Sequence, residues 1–110
     1  MALDRTRAVS EVVGTVNYMK EQSDSTAKVG TVGYCMGGGL SIATACNTDK
    51  LDAAVIYYGS NPDADQLANV TCPVLGLYGG DDGGIPLSTI VDLSEALEKN
   101  GSPYKIHIYC

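Results

Sequence analysis

The sequence predicts an α/β fold with a parallel sheet, on three observations. Short β-rich runs alternate with segments of helical spacing, most of the runs end close to glycine, and the segments between them suit crossover connections. The expectation is about four parallel strands with helices on both faces of the sheet, forming a single partial domain over residues 1–110. Folds of this kind use roughly twice that length, so the chain is expected to be a piece of a larger unit.

Each element has its own signal. Apolar residues at Val9, Val12, Val13, Val16 and Met19 keep helical spacing over about Arg7 to Gln22, and the polar run Ser23 to Thr26 closes that helix. Val29 to Tyr34 is a short strand that stops at Cys35, and Gly37, Gly38 and Gly39 lead into a small-residue helix that runs to about Cys46. Ala53 to Tyr58 reads as a buried strand, Asp63 to Asn69 as a short helix, and Val74 to Tyr78 as a third strand after Pro73. The last helix starts near Pro86 in a first-turn position, carries Leu87, Ile90, Val91 and Leu97 on one side, and stops at Gly101. Tyr104 to Tyr109 is the fourth strand.

Composition narrows the partners. Hydrophobic residues make up 45% of the chain, enough for a buried core and against disorder. The formal charge of -6, with only seven scattered Lys and Arg, argues against nucleic acid or an anionic membrane, while a small neutral or weakly anionic substrate remains compatible. No apolar run reaches the ~18 to 20 residues of a membrane span and no signal segment is legible at Met1 to Ser10, so the expected location is cytoplasmic. Cys35, Cys46, Cys72 and Cys110 lack the spacing of a disulfide scaffold or a zinc site and are read one at a time.

The chemistry concentrates at Gly33-Tyr34-Cys35-Met36-Gly37, a strand entering a helix through a glycine-flanked turn. This fits a nucleophile elbow with Cys in place of Ser. A nucleophile on so sharp a turn needs small neighbours two residues to either side, and the helix start favours negative charge on sulfur and offers the Met36 amide to an oxyanion. The competing reading is a glycine-rich structural turn around a small buried Cys. A phosphate-binding loop would need Gly-Lys followed by Ser or Thr, whereas Gly39 is followed by Leu40 and Ser41. Ligands in such sheets bind at the carboxyl ends of strands, where the chain supplies Tyr57-Tyr58-Gly59-Ser60 and Gly79-Gly80-Asp81-Asp82. Asp81 or Asp82 is then placed to orient a histidine, although Asp-Gly clusters also build plain turns. Tyr34 and Tyr58 either hydrogen-bond substrate at that rim or simply pack.

Val32-Gly33-Tyr34-Cys35-Met36-Gly37-Gly38, Ala54-Val55-Ile56-Tyr57-Tyr58-Gly59 and Cys72-Pro73-Val74-Leu75-Gly76-Leu77-Tyr78-Gly79-Gly80-Asp81-Asp82 with Ile85-Pro86 together resemble the dienelactone hydrolases, in order and spacing, over nearly the whole chain. The resemblance implies a partial α/β-hydrolase fold, a Cys-His-Asp triad, no metal or organic cofactor, and hydrolysis of a small-molecule lactone or related carboxylic ester. By position Cys35 becomes the nucleophile, Met36 N–H an oxyanion donor, and Asp82, rather than Asp81, the histidine orienter. The family's histidine follows the last strand present here, within a Tyr-Pro-Gly-x-x-His segment, whereas this chain reads Tyr109-Cys110. The resemblance also places several strands before the first helix, so the chain is expected to be truncated at both ends.

His107 is the one histidine. Three residues from the strand's end, it is expected about 10 Å below the rim that carries Cys35, outside hydrogen-bond reach. Cys46 reads as core, Cys72 as a strand entrance and Cys110 as a terminal residue. The expected function is ester or lactone hydrolysis through Cys35, impaired in this chain because its base is absent. The alternatives are a non-enzymatic module that self-associates through the exposed edge of the first strand, giving a homodimer, and redox sensing at Cys35.

Overall fold

The computed structural model describes residues 4–22 and 26–109. The expected Ser23 to Thr26 helix stop and the terminal Cys110 therefore lie wholly or largely outside the described residues. The elements follow in the order α1 (Arg5–Lys20), β1 (Gly30–Tyr34), α2 (Met36–Asn47), β2 (Ala53–Tyr57), α3 (Ala64–Leu67), β3 (Val74–Gly79), α4 (Leu87–Asn100) and β4 (Tyr104–Tyr109). Helix α1 begins two residues before the expected Arg7, because Asp4 caps it: its carboxylate accepts the Arg7 N–H at 3.1 Å. Pro86 stands just outside α4 as its N-cap. At the other end of α4, Gly101 takes φ +74 and donates to Glu98 O, while Ser102 N–H reaches Leu97 O.

The four strands form one parallel sheet in the order β1-β2-β3-β4. Each crossover thus moves one strand further in the same direction. Right-handed crossovers that never reverse direction deposit every helix on one side of the sheet, and this corrects the expectation of helices on both faces. Helix α1 packs on α2, α2 on α3, and α3 on α4, while α2 and α4 rest on strands. One core holds Val16, Ile42, Leu67 and Leu93 from the four helices together with Ala54, Ile56, Val74 and Tyr78 from the strands.

Alternation along the strands sends the other residues to the opposite face. There the register aligns Val32, Val55, Leu75 and Lys105 in one row and Tyr34, Tyr57, Leu77 and His107 in the next. Val32 and Tyr34 are each 58% exposed, and the Tyr34 ring stacks on Tyr57 with centroids 4.6 Å apart. Among the described residues β1 pairs only with β2, so its outer edge is open, as the sequence reading expects.

Two polar ties hold the elements in place, one between helices and one between a helix and the sheet. Asn100 Nδ2 donates to Leu67 O and Val70 O, and Ser102 Oγ donates to Val70 O, locking the exit of α3 to the end of α4. At the opposite end, Asp52 Oδ2 accepts Lys20 Nζ at 2.8 Å and the Val29 N–H at 2.7 Å, joining the end of α1 to the start of β1 and β2. The Lys20 hydrogen bond, then the Val29 amide, hold the Asp52 carboxyl below its ordinary range. A carboxylate with a depressed folded value contributes stability above its unfolded value and loses it as pH falls through the folded one. In urea unfolding at a series of pH values, Asp52→Asn should lower stability at neutral pH. Its midpoint should also fall less than that of the wild type on acidification through the carboxylate range, and parallel pH profiles would contradict the tie.

Candidate active site

Cys35 occupies the junction between β1 and α2 with φ 58° and ψ −119°, a conformation in which an L-residue persists only when its surroundings enforce it. The enforcement is visible. Cys35 N–H donates to Tyr57 O at 3.0 Å, continuing the β1–β2 ladder, and Cys35 O accepts the Gly39 N–H at 3.2 Å, opening α2. A side chain at Gly33 would place its Cβ 1.9 Å from Gly37 O, so the first flanking glycine is obligatory. A Cβ at Gly37 meets nothing within 4 Å, so the expectation of a small residue on both sides is met on one side only. Farther along, a Cβ at Gly59 would lie 2.3 Å from Gly38 C and Gly39 N, because α2 crosses the end of β2 in backbone contact.

A cleft of about 540 Å³ at the carboxyl rim of the sheet is lined by Cys35, Met36, Tyr58, Asp82, Ser60 and Arg5, with Gly84 and Ile85 closing one side. The Met36 N–H opens α2, where the first amides have no intrahelical acceptor. Tyr58 holds φ 41°, so two of the residues lining the cleft keep a left-handed backbone without being glycine; its N–H donates to Leu77 O at 2.8 Å. The Asp82 loop is anchored by Gly80 N–H on Tyr109 O at 2.7 Å, and Asp82 Oδ1 accepts the Gly84 N–H at 2.8 Å. Asp81 is exposed and does not line the cleft.

Cys35, Met36, Tyr58 and Asp82 therefore share one cleft, whereas Tyr34 does not line it and lies on the open face of the sheet against Tyr57. His107 is level with Tyr34 in the register, so it is not sunk 10 Å below the rim. Its distance is lateral: three strand spacings, about 14 Å, separate β4 from β1. The conclusion that it lies out of reach of Cys35 is unchanged, for a different geometric reason.

The buried thiols are of another kind. Burial, and secondarily Cys72, push the Cys46 thiol up to about 12, and burial raises that of Cys72, so both stay protonated. Among the described residues no group of three His, Cys, Asp or Glu side chains converges on a point where a metal could sit. Arg5 was not among the sequence candidates. Recognising Asp4 as the helix cap would have put Arg5 at the first position of α1.

Comparison with known proteins places this geometry among relatives. The profile of the dienelactone hydrolase family matches residues 2–110. The chain is 32% identical over 101 residues to the carboxymethylenebutenolidase of Pseudomonas putida, covering 90% of this chain and 42% of that protein. The crystal structure of a dienelactone hydrolase from Anabaena variabilis superposes with a TM-score of 0.74 at 28% identity, over 96% of this chain and 48% of that one. A puromycin-hydrolysing peptidase of Mycobacterium tuberculosis, 18% identical with a TM-score of 0.83, shares the fold. The chain thus spans less than half the length of these proteins.

The asymmetry of the two elbow glycines is directly measurable. Gly33→Ala forces a Cβ into backbone and should cost more than about 3 kcal/mol. Gly37→Ala should be neutral or stabilising by up to about 1 kcal/mol, because it only replaces glycine inside a helix. Urea midpoints compare the two, and equal losses would refute the asymmetry.

Proposed function

The chain belongs to the dienelactone hydrolase family, and from that premise we propose that its cleft is the thiol half of an ester- or lactone-hydrolysing site, with Cys35 as nucleophile. The observation that carries this reading is the forced positive φ of Cys35 at the opening of α2, in the cleft that also contains Asp82. The Cys35 thiolate attacks the ester carbonyl, an S–C bond forms, and the π pair moves onto oxygen, where the Met36 N–H stabilises it. Collapse expels the alkoxide and leaves a thioester, which water then hydrolyses. Asp82 is assigned to orient the imidazole that shuttles protons in both halves. No histidine of residues 1–110 can occupy that position, since His107 lies about 14 Å away across the sheet.

Attack and release therefore separate in this polypeptide. Tyr58, which lines the cleft, is assigned to substrate contact; Tyr34 is not. The substrate is a small ester or lactone, with nucleic acid disfavoured by the charge of -6. No helix among the described residues is long and apolar enough to cross a membrane, and the free Cys35, Cys46 and Cys72 suit the reducing conditions of the cytoplasm. With an activated aryl ester, the 110-residue polypeptide should release at most about one equivalent of phenol and carry the acyl group on Cys35, with negligible turnover. Cys35→Ala should abolish the acylation. Sustained turnover, or acylation that survives the substitution, would defeat this assignment.

A second reading rests on the open edge of β1. Gly30–Tyr34 is uncharged, Val32 is exposed, and no strand among the described residues pairs with the outer side. Edges of this kind pair with other chains unless charge or a bulge guards them. A homodimer joined through β1 should appear in light scattering at micromolar concentration and revert to monomer in Val32→Lys. A wild-type monomer would dispose of this reading.

A further inference from the structure

We propose that two copies of this chain associate face to face through the uncovered side of the sheet, a contact separate from edge pairing at β1 and independent of the chemistry at Cys35. The helices lie on the other side, so the two rows of side chains that start at Val32 and Tyr34 meet solvent. Only Lys105 and His107, both on β4, interrupt the apolar and aromatic character of those rows. Val32 and Tyr34 are exposed, and their neighbours on β2 and β3 are half-buried. An apolar face of this kind, presented by four paired strands, is what a sheet buries against a second sheet about 10 Å away.

Area and charge both select a second copy as the occupant. The chain exposes 6663 Å². A folded monomer of its mass, 11.5 kDa, exposes about 5,800 Å², so this one carries an excess of about 860 Å². One partner of a standard dimer buries about 800 Å². None of the four strands contains Asp or Glu, so the thirteen acids behind the net charge of -6 all lie outside the sheet. Two copies therefore repel one another across their acidic surfaces and meet with least repulsion here, where Lys105 is the one fixed charge. A face with no acid and a single cation offers a foreign partner little charge pattern to read, whereas an apolar surface is complementary to itself in a two-fold contact.

Leu77 separates this contact from edge pairing. It sits on β3 inside the ladder, whereas Val32 belongs to both the edge and the face. Light scattering of the 110-residue chain over a dilution series should give twice the chain mass at the concentrated end and the chain mass at the dilute end. Leu77→Lys sets an unpaired charge in the middle of the face and should weaken association by at least about tenfold. Its far-UV circular dichroism should match the wild type, because Leu77 is not part of the core. Hydroxyl-radical footprinting of the wild type needs no variant: Tyr57 and Leu77, away from the β1 edge, should be oxidised less in the dimer than in the diluted monomer. A wild type that stays monomeric leaves the face to some other chain and overturns the proposal. A dimer that persists in Leu77→Lys, or in which Tyr57 and Leu77 are as reactive as in the monomer, overturns it too.

Discussion

The contact between α2 and the ends of β1 and β2 is the constraint on which the rest of the molecule depends. Gly33 lies so close to Gly37 O, and Gly59 so close to Gly38 and Gly39, that the helix and the two strands meet backbone to backbone. That proximity leaves Cys35 no ordinary conformation and turns it outward at the rim, exposed and bracketed by hydrogen bonds to Tyr57 and Gly39. It also sets the depth of the core, because Ile42 and Ile56 are fully buried only when α2 sits this close to the sheet. The backbone conformation of Cys35 and the packing thus have one cause.

Much of the fold was legible in the sequence. Strand and helix boundaries fall within about two residues of their expected positions, because glycine, proline and the alternation of apolar residues are local signals. The distribution of helices was not legible. It depends on the order of strands in the sheet, a nonlocal property, and three β-α units in a row followed by a fourth strand are compatible with one covered face or two. The strand Ala53 to Tyr58 reads as buried in sequence, yet Val55 and Tyr57 are only half-buried on a face whose neighbours Val32 and Tyr34 are exposed: apolar residues report that a face is suited to burial, not what covers it.

At the site, motif logic singled out Cys35 and Met36 and left the acid as Asp81 or Asp82, with the family resemblance choosing Asp82, because a nucleophile elbow and a strand-end acid are short-range patterns. The structure adds the strained backbone of Tyr58 and the proximity of Arg5, neither of which has a sequence signature of its own. Arg5 reaches the cleft only because α1 packs on α2 and Gly39 leaves space. Tyr34 shows the converse, since its place in the motif suggests the rim while the period of two along β1 turns its ring to the open face. A residue beside a nucleophile in sequence can lie on the far side of the sheet from its chemistry.

The unreversed strand order has a consequence for how the molecule comes into being. Every strand pairs with the one that directly precedes or follows it in the chain, so the sheet grows without waiting for distant partners. Strands that pair in chain order close shorter loops than a sheet whose order doubles back, which must hold an early strand unpaired until a late one arrives. Emerging from a ribosome, this chain would set Cys35 when β2 docks, add Tyr58 when β3 docks, and fix Asp82 only when β4 ties down Gly80. The cleft is assembled from one end, with its acid the last part to be held in place.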